Sequence, residues 1–213
     1  TLSWVDELQA TSTADQAHRQ FGWADDSMSA FILGNQKITP DVIEFNPPSN
    51  QTVGLFPAFE PKGTYQEWRD NLELWSDEKF VLQQFALGMG FGSPLMEFLN
   101  TNCGTVSFYN KDSGVGKTAL LLAASGIWGD PEQLVLQKDD TYNFKMNRAE
   151  VMHSLPTGID EITNMSPRQM SELVYQGTSG QQRGRMSSSS NVERYRGGRW
   201  SLLMMYTANT SVV

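Results

Sequence analysis

The chain has 213 residues, of which 39% are hydrophobic and 19% charged, and its formal net charge is −8. Its length suits one α/β domain with an appendage or two small domains, and the negative charge excludes nucleic-acid binding by the whole surface, so such binding must be local. The absence of a membrane-length apolar run and of a signal peptide argues against a membrane partner, and a single cysteine indicates a reducing, cytoplasmic compartment.

Residues 1–63 are predicted to form a mainly β region within a small α+β appendage. Val42, Ile43 and Phe45 lie in a segment that alternates apolar and polar residues and is flanked by glycine and proline. This pattern is typical of short strands or of a small β-meander.

Residues 64–100 are predicted to form a helical region that links the appendage to a core in residues 101–213. Thr64, with Glu67 three residues later, has the capping-box arrangement of a helix start. Trp68, Leu72 and Trp75 follow at helical spacing. We expect this aromatic stripe to lie in the hydrophobic core rather than to bind a ligand.

A phosphate-binding loop is predicted where residues 110–118 read Asn-Lys-Asp-Ser-Gly-Val-Gly-Lys-Thr. An apolar, β-prone run precedes this loop and a helical sequence follows it, which is the context of a P-loop. Backbone N–H groups of such a loop and of the helix N-terminus form a positive concavity for a triphosphate. Lys117 is expected to hold the outer phosphates, and the Thr118 hydroxyl is expected to hold Mg²⁺. The residues predicted to bind ATP are Ser113, Gly114, Val115, Gly116, Lys117, Thr118 and Ala119.

The loop departs from the full P-loop pattern at one position. That pattern has glycine five residues before Gly116, where this chain has Lys111. A glycine at that position allows the chain to leave the strand in a sharp turn. Gly114 and Gly116 still allow the backbone to approach a ligand closely. The alternative interpretation is a chance Gly-Lys-Thr in a surface turn, as short motifs often produce.

Two adjacent carboxylates, Asp160 and Glu161, follow downstream of this loop. In P-loop ATPases, a neighbouring strand ends in an acidic residue that binds Mg²⁺ through water, and the next Glu acts as general base. Asp160 is therefore the predicted metal ligand and Glu161 the predicted catalytic base. Pro156 and Gly158 make the preceding stretch a poor strand by composition, and the alternative is a solvated Asp-Glu pair in a loop.

A segment rich in Gly, Ser and Arg occupies residues 177–199 of a chain whose first hundred residues carry a net charge of −9. Arginine and backbone donors can grip the phosphates of single-stranded DNA, and a tyrosine can stack on a base. The alternatives are a solvated loop and an arginine finger that reaches a neighbouring subunit's γ-phosphate. The residues predicted to contact nucleic acid are Arg183, Arg185, Arg194, Tyr195, Arg196 and Arg199.

The most apolar run of the chain, Trp-Ser-Leu-Leu-Met-Met-Tyr, occupies residues 200–206. Such a run is typical of a strand buried on both faces of a parallel sheet, and ligands bind just past the carboxyl ends of such strands. AAA+ ATPases usually have Asn or Thr there, a position called sensor 1 that helps to orient the attacking water. Asn209 is the predicted catalytic residue and Thr207 the second candidate, with a plain turn Asn as the alternative.

Four short motifs and the Gly/Arg-rich segment before Trp200 carry a family resemblance. The motifs are Phe21-Gly-Trp23, Phe31-Ile-Leu-Gly34, Gly63-Thr-Tyr-Gln-Glu-Trp68 and Gly126-Ile-Trp-Gly-Asp-Pro-Glu132. Over about residues 21–209, the chain resembles the predicted helicase family called domain of unknown function 927. Proteins of this family occur in phages and mobile elements, often beside or fused to primase domains.

The resemblance implies similarity to superfamily 3 and AAA+ helicases, which work on DNA as hexameric rings. In those rings a hairpin before sensor 1 faces the central channel, and residues 177–199 occupy the matching position. The family P-loop usually keeps its first glycine, from which Lys111 departs. An arginine finger and a sensor 2 arginine usually lie further along the chain or in a lid. We therefore expect this chain to be a fragment that lacks autonomous activity.

Together these features predict an α/β fold: an ASCE-type, AAA+-like P-loop NTPase core with a parallel sheet and helices on both faces, truncated after sensor 1. The predicted function is the ATP-hydrolysing motor of a phage-like replicative helicase that moves on single-stranded DNA in the cytoplasm of a bacterial host. ATP and Mg²⁺ are the expected cofactors. The expected partners are single-stranded DNA, other copies in a ring, and a fused or associated primase. The alternatives are an ATP-dependent initiator or loader and a nucleotide-gated oligomerisation module with little turnover.

Overall fold

A small antiparallel meander is the first regular structure among the described residues. The computed structural model describes residues 17–99, 101, 103–182 and 198–211, except for the Asn164 side chain. The meander agrees with the short strands expected from the sequence, although Ile43 and Phe45 of its last strand are exposed. Its strands, which pair in chain order, are β1 (Gly22–Trp23), β2 (Phe31–Leu33), β3 (Gln36–Ile38) and β4 (Ile43–Phe45).

A series of helices follows the meander. The capping box predicted from the sequence is present, because the Thr64 hydroxyl accepts from the Glu67 N–H and the Glu67 carboxylate accepts from the Thr64 N–H. The helices are α1 (Tyr65–Glu73) and α2 (Val81–Gly92), with 3₁₀ turns at Val53–Phe59, Glu78–Phe80 and Ser93–Leu99.

The aromatic stripe of α1 lies on the surface of the molecule. All nine residues of this helix are half-buried or exposed. Trp68 and Leu72 are half-buried, as is Trp75, which lies two residues past the end of α1. The expectation that the stripe belongs to the core was therefore wrong. Helical spacing shows that one face is apolar but not what covers it, and here Trp68 stacks on Tyr65 and forms a T-shaped pair with Phe91.

A parallel four-stranded sheet occupies the second half of the chain. Its strands are β5 (Cys103–Tyr109), β6 (Leu136–Gln137), β7 (Thr157–Asp160) and β8 (Leu202–Ala208), in the order β5-β8-β7-β6. The last strand in sequence is thus paired on both sides, with Tyr109 opposite Ala208 and Ile159 opposite Tyr206. This register brings the carboxyl ends of β5, β7 and β8 to one edge of the sheet.

Helices cover both faces of this sheet. Successive residues of β8 belong to different core clusters, since Met204 packs with the helices at Tyr142–Met152 and Pro167–Thr178, and Met205 packs with α2 and the helix at Lys117–Gly126. The apolar run at residues 200–206 is therefore buried on both sides, as the sequence predicts. The helices of this half are α3 (Lys117–Gly126), α4 (Pro131–Leu134), α5 (Tyr142–Met152) and α6 (Pro167–Thr178), with a 3₁₀ turn at Ile162–Asn164.

The stretch around Gly158, which is a poor strand by composition, forms β7. It pairs with β6 on one side and β8 on the other, and an added Cβ at Gly158 would lie 3.5 Å from Leu121 of α3. Tertiary pairing overrides local propensity at this position. Among the helices of the described ranges, none has the length and apolar character needed to cross a bilayer.

Candidate functional site

The loop between β5 and α3 lies at the carboxyl edge of the parallel sheet. Gly114 and Gly116 have φ angles of +73° and +90°, which side chains with a Cβ rarely adopt. A Cβ built on either glycine meets no described atom within 4 Å, so the space over the loop is open. Gly116 is the N-cap of α3 and brings no side-chain cap to it, which leaves N–H groups of the first turn directed at this space.

Lys117 lies across the mouth of this loop. Its Nζ donates to the carbonyl oxygens of Asn110 and Asp112, at 3.0 and 2.8 Å. The loop is also fixed at its start, where the Asn110 N–H donates to the Ala208 carbonyl at the end of β8. The site thus holds an ammonium group beside a row of backbone N–H groups, an arrangement that attracts anions.

Lys111 fits this loop without backbone strain. Among the described non-glycine residues, positive φ angles occur at Met28, His153 and Glu161. Lys111 is not one of them, so the position where the P-loop pattern has glycine does not need a left-handed conformation here. Ser113, Val115 and Ala119 are exposed on the same loop and on the first turn of α3.

Thr118 and Asp160 meet across the gap between α3 and β7. The Thr118 hydroxyl lies 3.1 Å from each carboxylate oxygen of Asp160. Asp160 is the last residue of β7, and the Thr207 hydroxyl of the neighbouring strand β8 donates to its Oδ1. A hydroxyl and a carboxylate are oxygen ligands of the kind that Mg²⁺ prefers.

Glu161 leaves β7 in a left-handed conformation, with φ +57° and ψ +62°. Its carboxylate accepts from the Asn209 side-chain amide, at 3.2 and 3.4 Å to the two oxygens. Asn209 directly follows β8, and its own N–H donates to the Thr163 hydroxyl at 2.7 Å. The sequence alone did not identify Thr163 as part of this arrangement, since nothing in its local pattern sets it apart.

The structure therefore brings together Lys117, Thr118, Asp160, Glu161 and Asn209 from three separate segments of the chain. Thr207, the second candidate for the sensor position, is buried in β8, with its hydroxyl between Asp160 and the Glu161 N–H. The described ranges contain no group of three or more His, Cys, Asp or Glu side chains that could hold a metal. A cation at this edge of the sheet would therefore be held by isolated side chains of the protein and by oxygen atoms of a bound ligand.

Of the residues predicted to contact nucleic acid, Arg199 is among the described residues. Arg183, Arg185, Arg194, Tyr195 and Arg196 lie outside the described residues. Arg199 lies just before β8, at the end of the strand opposite Asn209. Its Nη2 donates to Asp26 at 2.6 Å and also to Glu97, so this guanidinium is paired with two carboxylates.

The Arg199 charge affects a buried neighbour. His153 is 5% exposed, and burial, together with the positive charge of Arg199, lowers the pKa of His153 to about 4. Burial likewise raises the pKa of the Cys103 thiol to about 12. Neither group is poised for chemistry at neutral pH.

A family model described as "Domain of unknown function (DUF927)" matches residues 2–196. The chain belongs to the DUF927 family. This finding confirms the family resemblance drawn from the sequence motifs. No curated protein matches the chain.

A solved structure titled "SCCmec type IV Cch - active helicase" resembles this DUF927 chain. The TM-score is 0.70 at 17% sequence identity, over 99% of this chain and 40% of the other. The DUF927 chain thus spans less than half the length of that helicase. At this identity the similarity shows the fold, a mixed α/β structure with a parallel four-stranded sheet.

Proposed function

We propose that this DUF927 chain is the ATP-hydrolysing core of a DNA helicase of the kind that phages and mobile elements carry. The observation that carries the proposal is the contact of Thr118 with both oxygens of Asp160, 3.1 Å each, next to Lys117 and Glu161. A hydroxyl at the start of a helix, facing an acidic strand end, is the arrangement of a P-loop ATPase metal site. The strand order, with β8 between β5 and β7, supports the same assignment.

The residues present fit a nucleotide triphosphate with Mg²⁺. The loop leaves open space over Gly114 and Gly116, and the exposed N-terminus of α3 offers N–H donors to an anion. When bound, ATP supplies the phosphoanhydride that is cleaved, and Mg²⁺ supplies positive charge beside its outer phosphates. The Thr118 hydroxyl would hold this ion directly, and Asp160 would hold it through water.

Lys117 has a defined task in this proposal. Its ammonium now bonds two loop carbonyls, and it would exchange these neutral acceptors for charged phosphate oxygens. An ammonium group is attracted more strongly by a negatively charged phosphate oxygen than by the dipole of a neutral carbonyl. The exchange is therefore favourable, and it places the cation where negative charge accumulates during hydrolysis.

Glu161 is the proposed general base. Its carboxylate would accept a proton from the attacking water, while Asn209 holds that carboxylate through its amide. Two adjacent residues at the end of β7 would thus have different roles: Asp160 would hold the cation, and Glu161 would accept the proton. This division suits the activation of water better than phosphoryl transfer to a base or sugar.

The proposal also includes an action on DNA. The family match and the fold of a solved helicase support a helicase-like role, and residues 177–199 supply arginine in a chain of net charge −8. We propose that this segment holds single-stranded DNA. We further propose that copies assemble in a ring, and that the protein works in the host cytoplasm beside a primase.

Measuring ATP turnover by the longest natural form of the protein, with and without single-stranded DNA, tests the proposal. A helicase motor should hydrolyse ATP faster on DNA and should separate a forked duplex. Stimulation without strand separation would indicate an initiator or loader instead. Nucleotide binding and assembly with negligible turnover would indicate the oligomerisation module, and no nucleotide binding would refute the proposal.

A further inference from the structure

A buried threonine joins the two carboxylate residues of the site. Thr207 is 1% exposed and lies in β8, whose Tyr206 pairs with Ile159 of β7. The parallel register therefore sets Thr207 beside the end of β7, where Asp160 and Glu161 follow. Its hydroxyl contacts both of these residues.

The direction of each hydrogen bond at Thr207 is fixed by chemistry. The Glu161 N–H can only donate, and its nitrogen lies 2.7 Å from the Thr207 oxygen. The hydroxyl must accept there, so its single proton is left for Oδ1 of Asp160, which as a carboxylate accepts. One hydroxyl thus satisfies a backbone donor and a carboxylate oxygen at the same time.

The backbone donor is unusual because it belongs to a strained residue. Glu161 adopts φ +57° without being glycine, a conformation that persists only when surrounding contacts enforce it. The bond to Thr207 is such a contact. Asn209 acts elsewhere on the same residue, since it bonds the Glu161 carboxylate and not its backbone.

We propose that Thr207 is a positioning residue that sets both the Asp160 carboxylate and the Glu161 backbone for hydrolysis. This inference rests on the proposed function. Through Asp160 Oδ1, the threonine fixes the rotamer of the carboxylate that faces Thr118. Through the Glu161 N–H, it fixes the left-handed turn that directs the general base toward the site.

The test compares the isosteric variant Thr207→Val with Thr207→Ser, which keeps the hydroxyl. Loss of hydrogen bonds to a charged group should lower kcat on the order of 10- to 100-fold in Thr207→Val. The Kd for an ATP analogue should stay within about threefold, because among the described residues the Thr207 hydroxyl bonds Asp160 and the Glu161 N–H and not the phosphate loop. Thr207→Ser should recover most of kcat.

Thr157→Val is the matched control. Thr157 is also a buried threonine of this sheet, and its hydroxyl has no hydrogen-bond partner among the described atoms. Its loss should leave kcat unchanged. The positioning role would be overturned by a Thr207→Val variant with wild-type kcat, or by Thr207→Ser as slow as Thr207→Val, which would indicate packing alone.

Amide hydrogen exchange at Glu161 gives a readout that does not depend on turnover. The amide should be protected in the wild type and in Thr207→Ser, and should exchange at least tenfold faster in Thr207→Val, because its acceptor is gone. If the wild type failed to hydrolyse ATP, the proposed function would fall while this exchange still tested the contact. Equal exchange in all three proteins would overturn the inference.

Discussion

At the scale of single residues, Lys117 is the first residue of α3, so its ammonium lies at the N-terminus of that helix. It bonds the carbonyls of Asn110 and Asp112, acceptors that phosphate oxygens would replace. We expect Lys117→Ala to weaken nucleotide binding on the order of 100-fold or more, since two or more charge-assisted bonds are lost. Titration with a fluorescent ATP analogue measures this change.

Lys111→Ala is the control for Lys117. Lys111 lies in the same loop and is exposed, so its removal changes the net charge equally without removing a contact to the loop carbonyls. Binding should change by less than about threefold, the effect of a screened surface charge. Unchanged binding in Lys117→Ala would refute the phosphate-loop assignment.

Glu161→Gln should separate nucleotide binding from hydrolysis. Thr118 and Asp160 still meet in this variant, so the metal ligands are kept, whereas the amide cannot accept the proton of water. Loss of a general base lowers the rate on the order of 10²- to 10⁴-fold, and ATP should remain bound. Single-turnover hydrolysis measures the rate, with Glu73→Gln on the exposed surface of α1 as control. Normal turnover would assign the base to another residue.

His153 should make the stability of the fold depend on pH. Burial, and then the charge of Arg199, lower its pKa from 6.5 to about 4, partly offset by Asp26. Between these values the unfolded chain binds a proton that the folded chain does not, so stability falls as pH falls. From pH 7 to pH 5 this group should cost about 2 kcal/mol.

Urea unfolding at pH 7 and pH 5 measures that loss in the wild type and in His153→Asn. The variant cannot take up a proton at this position, so its stability should fall less over the same interval. His18→Gln serves for comparison: burial also lowers the pKa of His18, but this histidine is only half-buried, so its removal should reduce the pH dependence less than His153→Asn does. An equal pH dependence in wild type and His153→Asn would contradict the assignment.

At the scale of elements, α2 is held against α3 by a close backbone contact. A Cβ added at Gly90 would lie 2.7 Å from the Ala124 carbonyl oxygen and 3.1 Å from its Cα, whereas Gly88 in the same helix has open space. Gly90→Ala must therefore push α2 away from the helix that starts at the phosphate loop. We expect a loss of about 1–3 kcal/mol in the free energy of unfolding.

Gly88→Ala is the matched control within α2. Alanine in a helix interior is favoured over glycine by roughly 0.5–1 kcal/mol, so this variant should be slightly more stable than the wild type. Urea unfolding of both variants measures the difference. If Gly90→Ala were as stable as Gly88→Ala, α2 would not be seated on α3 as described.

The elements also show where the sequence was sufficient. The capping box at Thr64 and the buried strand before Asn209 are local patterns, since each depends on residues a few positions apart. The strand at Gly158 was hard to predict because its stability comes from pairing with β6 and β8. Trp68 was wrongly assigned to the core, because the spacing of apolar residues shows that a helix has an apolar face but not which part of the molecule covers that face.

At the scale of the whole molecule, the candidate site exists only because β8 lies between β5 and β7. The sequence predicted the order of the motifs along the chain. It also predicted that each motif lies at the carboxyl end of a strand. It could not give the contact of Thr207 with the Glu161 N–H, because that depends on the register of β7 and β8. The left-handed turn at Glu161 likewise arises from long-range contacts and not from its own preference.

The charge distribution of the molecule leads to the final prediction. The first hundred residues carry a net charge of −9 and the remainder +1, so an approaching nucleic acid meets favourable charge only locally. We expect the double variant Arg183→Ala, Arg185→Ala to bind single-stranded DNA more weakly. The slope of log K against log salt should become shallower by about 0.7 for each lost phosphate contact. DNA titration at several salt concentrations measures both quantities.

Arg168→Ala in α6 is the control for this pair, because it removes an exposed arginine outside residues 177–199. It should leave DNA affinity and the salt slope unchanged. ATP binding should survive in every variant, since none of these residues belongs to the phosphate loop. Lost hydrolysis with intact DNA affinity would instead identify an arginine finger that acts on a neighbouring subunit. A double variant with unchanged DNA binding and unchanged hydrolysis would show that the segment is a solvated loop, and DNA would then have to contact another surface.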